Sequence, residues 1–117
     1  MMELDDQNVL LDMDGLKAAF MEDVAIIKQI LRAFQDTFRD FPEEFESLHS
    51  EAKLTELSRL VHGLKGSSAN IRASYLSAQA ASLQEQIDQK QDYTETYQHL
   101  LSTLSRTNRE IDAFTAK

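Results

Sequence analysis

The chain has 117 residues, a net charge of −8 and no cysteine. That length builds one domain with a real core and is too short for two, and without cysteine there is no disulfide or thiolate chemistry, which fits a reducing compartment. The negative charge argues against broad binding to nucleic acid or anionic membrane, and no apolar run approaches the ~20 residues of a membrane span.

Met1-Met2-Glu3-Leu4-Asp5-Asp6 is acidic from the start and lacks the basic and apolar regions of a secretory signal. A soluble, cytoplasmic chain is therefore expected. Three glycines and one proline leave few punctuation marks, and the periodicity is helical nearly throughout. No internal repeat, low-complexity run or linker divides the chain. The expectation is a single all-α domain over residues 1–117, with a weakly patterned segment at 1–11 and helices across 12–116.

Val9, Leu10 and Leu11 are expected to tuck against the helices. Asp12 or Asp14 caps a short helix running to about Phe20, and a break follows near Met21–Asp23. The strongest pattern comes next. Val24, Ile27, Leu31, Phe34, Phe38, Phe41, Phe45 and Leu48 alternate spacings of three and four, one apolar stripe on a long helix. Pro42 falls inside it, yet Phe45 and Leu48 stay in phase. The pattern therefore predicts a kinked helix that continues through the proline.

A further helix starts near Ser50–Leu54, with Leu54, Leu57, Val61, Leu64, Ser68 and Ile71 inward. The next presents Leu76, Ala80, Leu83 and Ile87, and polar Asp88–Gln91 reads as a turn. Asp92-Tyr93-Thr94-Glu95 has the form of a capping box, with Asp92 as cap and Glu95 reaching back. Tyr97, Leu101, Leu104, Ile111 and Phe114 line the last helix, with Leu100 at its edge. Four long amphipathic helices joined by short turns predict an antiparallel up-and-down four-helix bundle with a short additional N-terminal helix. Its core includes Phe34, Phe38, Phe41, Leu57, Val61, Leu64 and Leu83.

Charge is unevenly placed. Residues 53–72 carry four cations (Lys53, Arg59, Lys65, Arg72) against Glu56, a net +3, which leaves −11 for the rest of the −8 chain. The same stretch holds His62-Gly63-Leu64-Lys65-Gly66-Ser67-Ser68-Ala69-Asn70, with two of the three glycines. A glycine inside a helix costs about 1 kcal/mol relative to alanine. Two of them beside a histidine suggest access, because a partner surface can then come close to the His62 ring. His62 lies about 100° around from Val61. It shares its flank with Ser58, Lys65 and Ala69, with Arg59, Gly63 and Gly66 alongside.

A lone helical histidine is usually a solvated or packed residue. Here the ring is expected to be exposed, and a neutral imidazole is a good nucleophile. The Lys65 ammonium at i+3 is within reach of the same patch and could hold a phosphoryl oxygen through charge-assisted hydrogen bonds. His49, at the end of its helix, and His99, facing outward, read as surface residues. Glu46-Ser47-Leu48-His49 matches one Glu-x-x-His unit of di-iron bundles, but such sites need two units and further carboxylates, so no metal is expected. There is no glycine-rich phosphate loop, activated serine or catalytic carboxylate pair. Gln79, Gln84 and Gln86 are ordinary for a surface helix, though one of them could reach the neighbouring His62 ring.

His62-Gly63-Leu64-Lys65-Gly66, followed by small residues, resembles the signature of histidine-containing phosphotransfer (HPt) domains of bacterial phosphorelays. Helix order and length agree from about residue 12 to 116. The resemblance implies a phosphoryl carrier without its own ATP site or cofactor. His62 would be the phosphoacceptor on its outer ring nitrogen, Lys65 would neutralise the phosphoryl group, and Gly66 would clear space for a receiver domain. The family's glutamine from the next helix points, by its distance from the histidine, to Gln84. The receiver, in a response regulator or a hybrid sensor histidine kinase, would supply the aspartate and Mg²⁺ and would meet Ser58, Arg59, Gly63, Gly66, Ala69 and Arg72. The carrier itself is expected to be a free-standing monomer. One departure stands out: the family usually has glycine ten residues after the histidine, where this chain has Arg72. The competing reading is an acidic helical adaptor with His62 incidental.

Overall fold

The computed structural model describes residues 10–116. Six helices follow one another: α1 (Met13–Ala19), α2 (Val24–Thr37), α3 (Phe41–Ser50), α4 (Leu54–Asn70), α5 (Ser74–Asp88) and α6 (Thr94–Thr115). There is no strand among the described residues, as the helical period predicts. α4 packs along α5, α5 along α6, α6 against α2, and α3 against α4, while α1 leans on α2. Leu10 and Leu11 are buried as expected, and Val9 lies outside the described residues.

Asp12 caps α1, its Oδ1 accepting from the Gly15 N–H at 2.9 Å. Asp23 caps α2 in the same way through the Ile26 N–H at 3.1 Å. The apolar stripe of α2 starts later than expected. Ile27, Leu31 and Phe34 are buried, but Val24 occupies the first helical position and is 44% exposed, ahead of the covered part of the helix.

The expected continuous helix through Pro42 is two helices. α2 ends at Thr37 and α3 begins at Phe41, with Pro42 in its first turn. The chemistry favours this solution. A proline ring clashes with the carbonyl four residues back, here that of Phe38, whereas in a first turn its missing N–H costs no bond. Phe38 O instead accepts from the Phe41 N–H at 3.2 Å. The break preserves phase, so Phe34, Phe38, Phe41 and Phe45 still form a chain of ring contacts, with successive centroids 5.2, 6.4 and 5.9 Å apart.

Two further expectations fail in α6. Leu100 is fully buried rather than at the edge, and Thr103 and Thr107 are buried beside Leu104 and Ile111, while Leu101 is half-buried. The inward line therefore runs through Leu100, Leu104, Thr107 and Ile111. Thr107 is tolerated there because its hydroxyl donates to the Thr103 carbonyl at 2.8 Å, so its own oxygen is not orphaned. The capping box is not reciprocal either. Tyr93 takes the cap position, and Asp92 Oδ1 accepts from the Thr94 N–H at 3.0 Å. That bond holds the Asp92 carboxyl below its usual range.

The turns explain how a chain with three glycines makes the six described helices. At the C-terminus of α4, the Ala73 N–H reaches Ser68 O at 2.9 Å and the Arg72 N–H reaches Ala69 O at 3.1 Å. This is a Schellman closure, which requires a left-handed residue just past the cap. Arg72 supplies it at φ 62°, and Met21, Ala52 and Lys90 do the same after α1, α3 and α5 at 56°, 56° and 57°. No glycine has positive φ. All three lie inside helices.

Candidate functional site

α4 carries Leu57, Val61, Leu64 and Ser68 into the core, and this fixes which residues face out. Ser68, the polar member of that line, is satisfied internally through Leu64 O at 2.6 Å. His62 follows Val61 and is exposed near the middle of the helix. Its Nδ1 lies 3.3 Å from Gln84 Oε1 on α5. An amide oxygen only accepts, so in this pair Nδ1 carries the proton and Nε2 keeps its lone pair toward the open side. The lone pair that could attack an electrophile is thus on the nitrogen that Gln84 does not occupy.

One turn before His62, the Ser58 hydroxyl donates to Asp88 Oδ1 at 2.6 Å, and Asp88 in turn lies one turn beyond Gln84. Two polar rungs therefore cross the α4–α5 seam side by side. Farther along, the Ser77 hydroxyl donates to Lys65 O at 2.9 Å, tying the Lys65 backbone to α5. A hollow of about 340 Å³ opens between the rungs, lined by Thr55, Ser58, Arg59, His62, Gln84 and Asp88. A second, of about 370 Å³, adjoins it and includes Lys65, Gln84, Glu85 and Asp88.

Most of the expected site residues gather here. Ser58, Arg59, His62 and Gln84 share the first hollow, and Lys65 meets Gln84 in the second. Arg59, Lys65 and Arg72 have no ion-pair partner among the described residues. Gly63 and Gly66 are exposed, and a methyl group built on either would meet nothing within 4 Å. No neighbouring helix presses on these glycines, so internal packing does not require them. Ala69 and Arg72 line neither hollow, and Arg72 lies about 15 Å along the helix from His62.

Sequence reasoning passed over Asp88 as part of a turn. Its signal was present, since Gln84–Asp88 and Ser58–His62 are both i, i+4 pairs. The other histidines stand apart. His49 is exposed, with its Nδ1 engaged by the Tyr93 hydroxyl, and His99 is exposed on α6. Among the described residues, no three His, Cys, Asp or Glu side chains converge to hold a metal ion.

A family model described as Hpt domain matches residues 29–114, a span that contains most of α2 and all of α3 to α5, along with His62 and both of its glycines. The chain belongs to the Hpt domain family. No curated protein and no solved structure matches it. Hpt domains carry phosphoryl groups on histidine in phosphorelays and work with receiver domains, without an ATP site of their own. Within this Hpt domain no described helix is long and apolar enough to cross a membrane.

Proposed function

We propose that His62 accepts a phosphoryl group from a receiver-domain aspartate and passes it to another receiver domain. The observation that carries this reading is the exposed imidazole whose Nδ1 faces Gln84 Oε1 at 3.3 Å, leaving Nε2 open beside two uncrowded glycines. In the transfer, the Nε2 lone pair attacks phosphorus and the P–O bond to the aspartate breaks. The bonding pair leaves with the carboxylate, and a P–N bond forms. Positive charge developing on the ring is shared by Nδ1–H, which Gln84 Oε1 accepts and holds in orientation. Lys65 is the nearby cation for the phosphoryl oxygens. Gly63 and Gly66 admit the receiver surface, with Ser58, Arg59 and Ala69 around the contact.

On this reading the aspartate and Mg²⁺ belong to the receiver, and the carrier works as a cytoplasmic monomer. Its four long helical segments, with α2 and α3 counted as one, form an antiparallel up-and-down bundle, which the short turns and the successive helix pairings support.

The test is incubation with a phosphorylated receiver. Wild-type protein is expected to take acid-labile, base-stable label. His62→Gln should lose it while melting almost unchanged, because the ring is exposed and little packing depends on it. Full labelling of that variant moves the acceptor to His49 or His99. With ATP and Mg²⁺ alone the protein should stay unlabelled.

A further inference from the structure

The Asp88 carboxylate, which accepts the Ser58 hydroxyl across the seam, is used by neither the fold's core nor the transfer just described. We propose that Asp88 tunes the phosphoryl group on His62: its carboxylate repels the bound phosphoryl group and biases the carrier toward giving it away. This rests on His62 being the acceptor.

Three observations support it. Asp88 lines the same hollow of about 340 Å³ as His62. Its carboxylate accepts the Ser58 hydroxyl at 2.6 Å, which directs it across the seam toward α4, one turn from His62 on the same face. Finally, among the described residues neither Arg59 in its hollow nor Lys65 in the adjoining one forms an ion pair with it.

The charges facing the ring are therefore Arg59 and Lys65 on α4, against Asp88 and, farther out, Glu85 on α5. A phosphoryl group on Nε2 brings close to two negative charges into this field. The cations favour its arrival, and Asp88, about one helical turn from the His62 rung, opposes it. Like charges near one another raise the free energy of the doubly charged state. The phosphorylated carrier is thus poised to transfer, while the unphosphorylated carrier keeps an imidazole free to attack. Because the seam is open to water, the effect should be modest and should weaken with salt.

The experiment measures the equilibrium between the phosphorylated receiver and phosphorylated carrier for wild type, Asp88→Asn, Ser58→Ala and Asp36→Asn. Asp36 is on α2 and lines a groove shared with α6, so its variant changes net charge equally at a different place. Asparagine keeps an acceptor for Ser58, so Asp88→Asn isolates the charge from the hydrogen bond. It should shift the equilibrium toward phosphorylated His62 about three-fold or more at low salt, and less at 1 M salt, where the Debye length is ~3 Å. Ser58→Ala keeps the charge but releases the carboxylate from its hydrogen bond, so it should shift the equilibrium in the same direction by less than Asp88→Asn. Asp36→Asn should move far less than Asp88→Asn.

A second readout is the ionisation of the phosphoryl group followed by ³¹P resonance. Removing a neighbouring negative charge should lower its pKa in Asp88→Asn, a change that a purely structural role would not produce. If wild type labels normally but Asp88→Asn matches Asp36→Asn in both measurements, the role of Asp88 is overturned and the acceptor role of His62 stands. A wild type that takes no label from any phosphorylated receiver overturns both.

Discussion

Arg72 holds a backbone conformation suited to glycine, at φ 62°. For an L-residue with a Cβ, that region costs roughly 1–2 kcal/mol. The Schellman closure of α4 demands it all the same. Arg72→Gly should therefore stabilise the fold by about 1 kcal/mol, with part of the relief offset by the greater freedom of an unfolded glycine. Chemical denaturation of the two proteins checks this, and a loss of stability would mean that the Arg72 side chain makes a favourable contact. The glycines beside His62 predict the converse. A methyl group at Gly66 meets nothing within 4 Å. Gly66→Ala should then stabilise by roughly 0.4–1 kcal/mol, because alanine is the better helix former and the less flexible unfolded residue. Gly66→Gln should keep or raise the melting temperature while slowing phosphoryl transfer at least ~10-fold, since small misplacements of reacting groups are costly. Thermal melts and transfer kinetics on the same preparations test this pair. Transfer at the wild-type rate would remove the access argument, and unfolding would return the glycine to a structural role.

At the scale of elements, the inward faces of α4 and α5 were legible because their lines keep helical phase, with Ser68 flanked in phase by Leu64 and Ile71. In α6 two threonines join the buried line, and there the pattern misleads. Thr107 hides its hydroxyl in a bond to its own helix, and without it Leu100 reads as an edge residue. Pro42 was misread because phase continuity says nothing about backbone continuity. The turn after Ser50 carries no glycine signal, since Ala52 takes the left-handed position. The same limit explains the site: His62, Lys65 and the glycines are local in sequence, whereas the Asp88 rung exists only once α5 lies on α4. Contacts between elements also set a measurable pH response. Phe45 of α3 stacks on Tyr97 of α6, with centroids 3.8 Å apart and planes 8° from parallel. Burial, reinforced by the Glu46 and Glu43 carboxylates, pushes the Tyr97 phenol from 10.0 up to about 12. The folded state thus resists ionisation that the unfolded chain accepts freely. Below pH 10.0 both states hold the proton and no penalty arises; as pH climbs from there toward about 12, stability falls. Tyr97→Phe removes this contribution, so its stability should decline less than wild type over that range when unfolding is followed by urea titration. Parallel declines would show that Tyr97 ionises alike in both states.

The whole molecule presents a mixed field. Residues 53–72 carry a net +3, whereas the chain as a whole is −8. For a receiver of net negative charge, docking depends on the distance over which charge is felt. At 0.01 M ionic strength the Debye length is ~30 Å and the partner senses nearly the full net charge; at 0.15 M it is ~8 Å and only the facing patch matters. Arg59 and Arg109 separate these regimes. Each is an exposed cation, Arg59 in the hollow beside His62 and Arg109 in the groove between α2 and α6. Substituting either with glutamine makes the chain more negative by one charge. At 0.01 M both variants should slow second-order transfer to similar extents, because the partner meets the same net charge. At 0.15 M Arg59→Gln should remain about three-fold slower than wild type and Arg109→Gln should return to the wild-type rate, since charges near an interface steer encounter locally. Rapid-quench measurement of transfer at the two ionic strengths decides the matter. Equal slowing by both variants at 0.15 M would mean that net charge governs docking. Equal rates for wild type and Arg59→Gln there would take Arg59 out of the receiver contact, leaving Lys65 as the cation that meets the phosphoryl group.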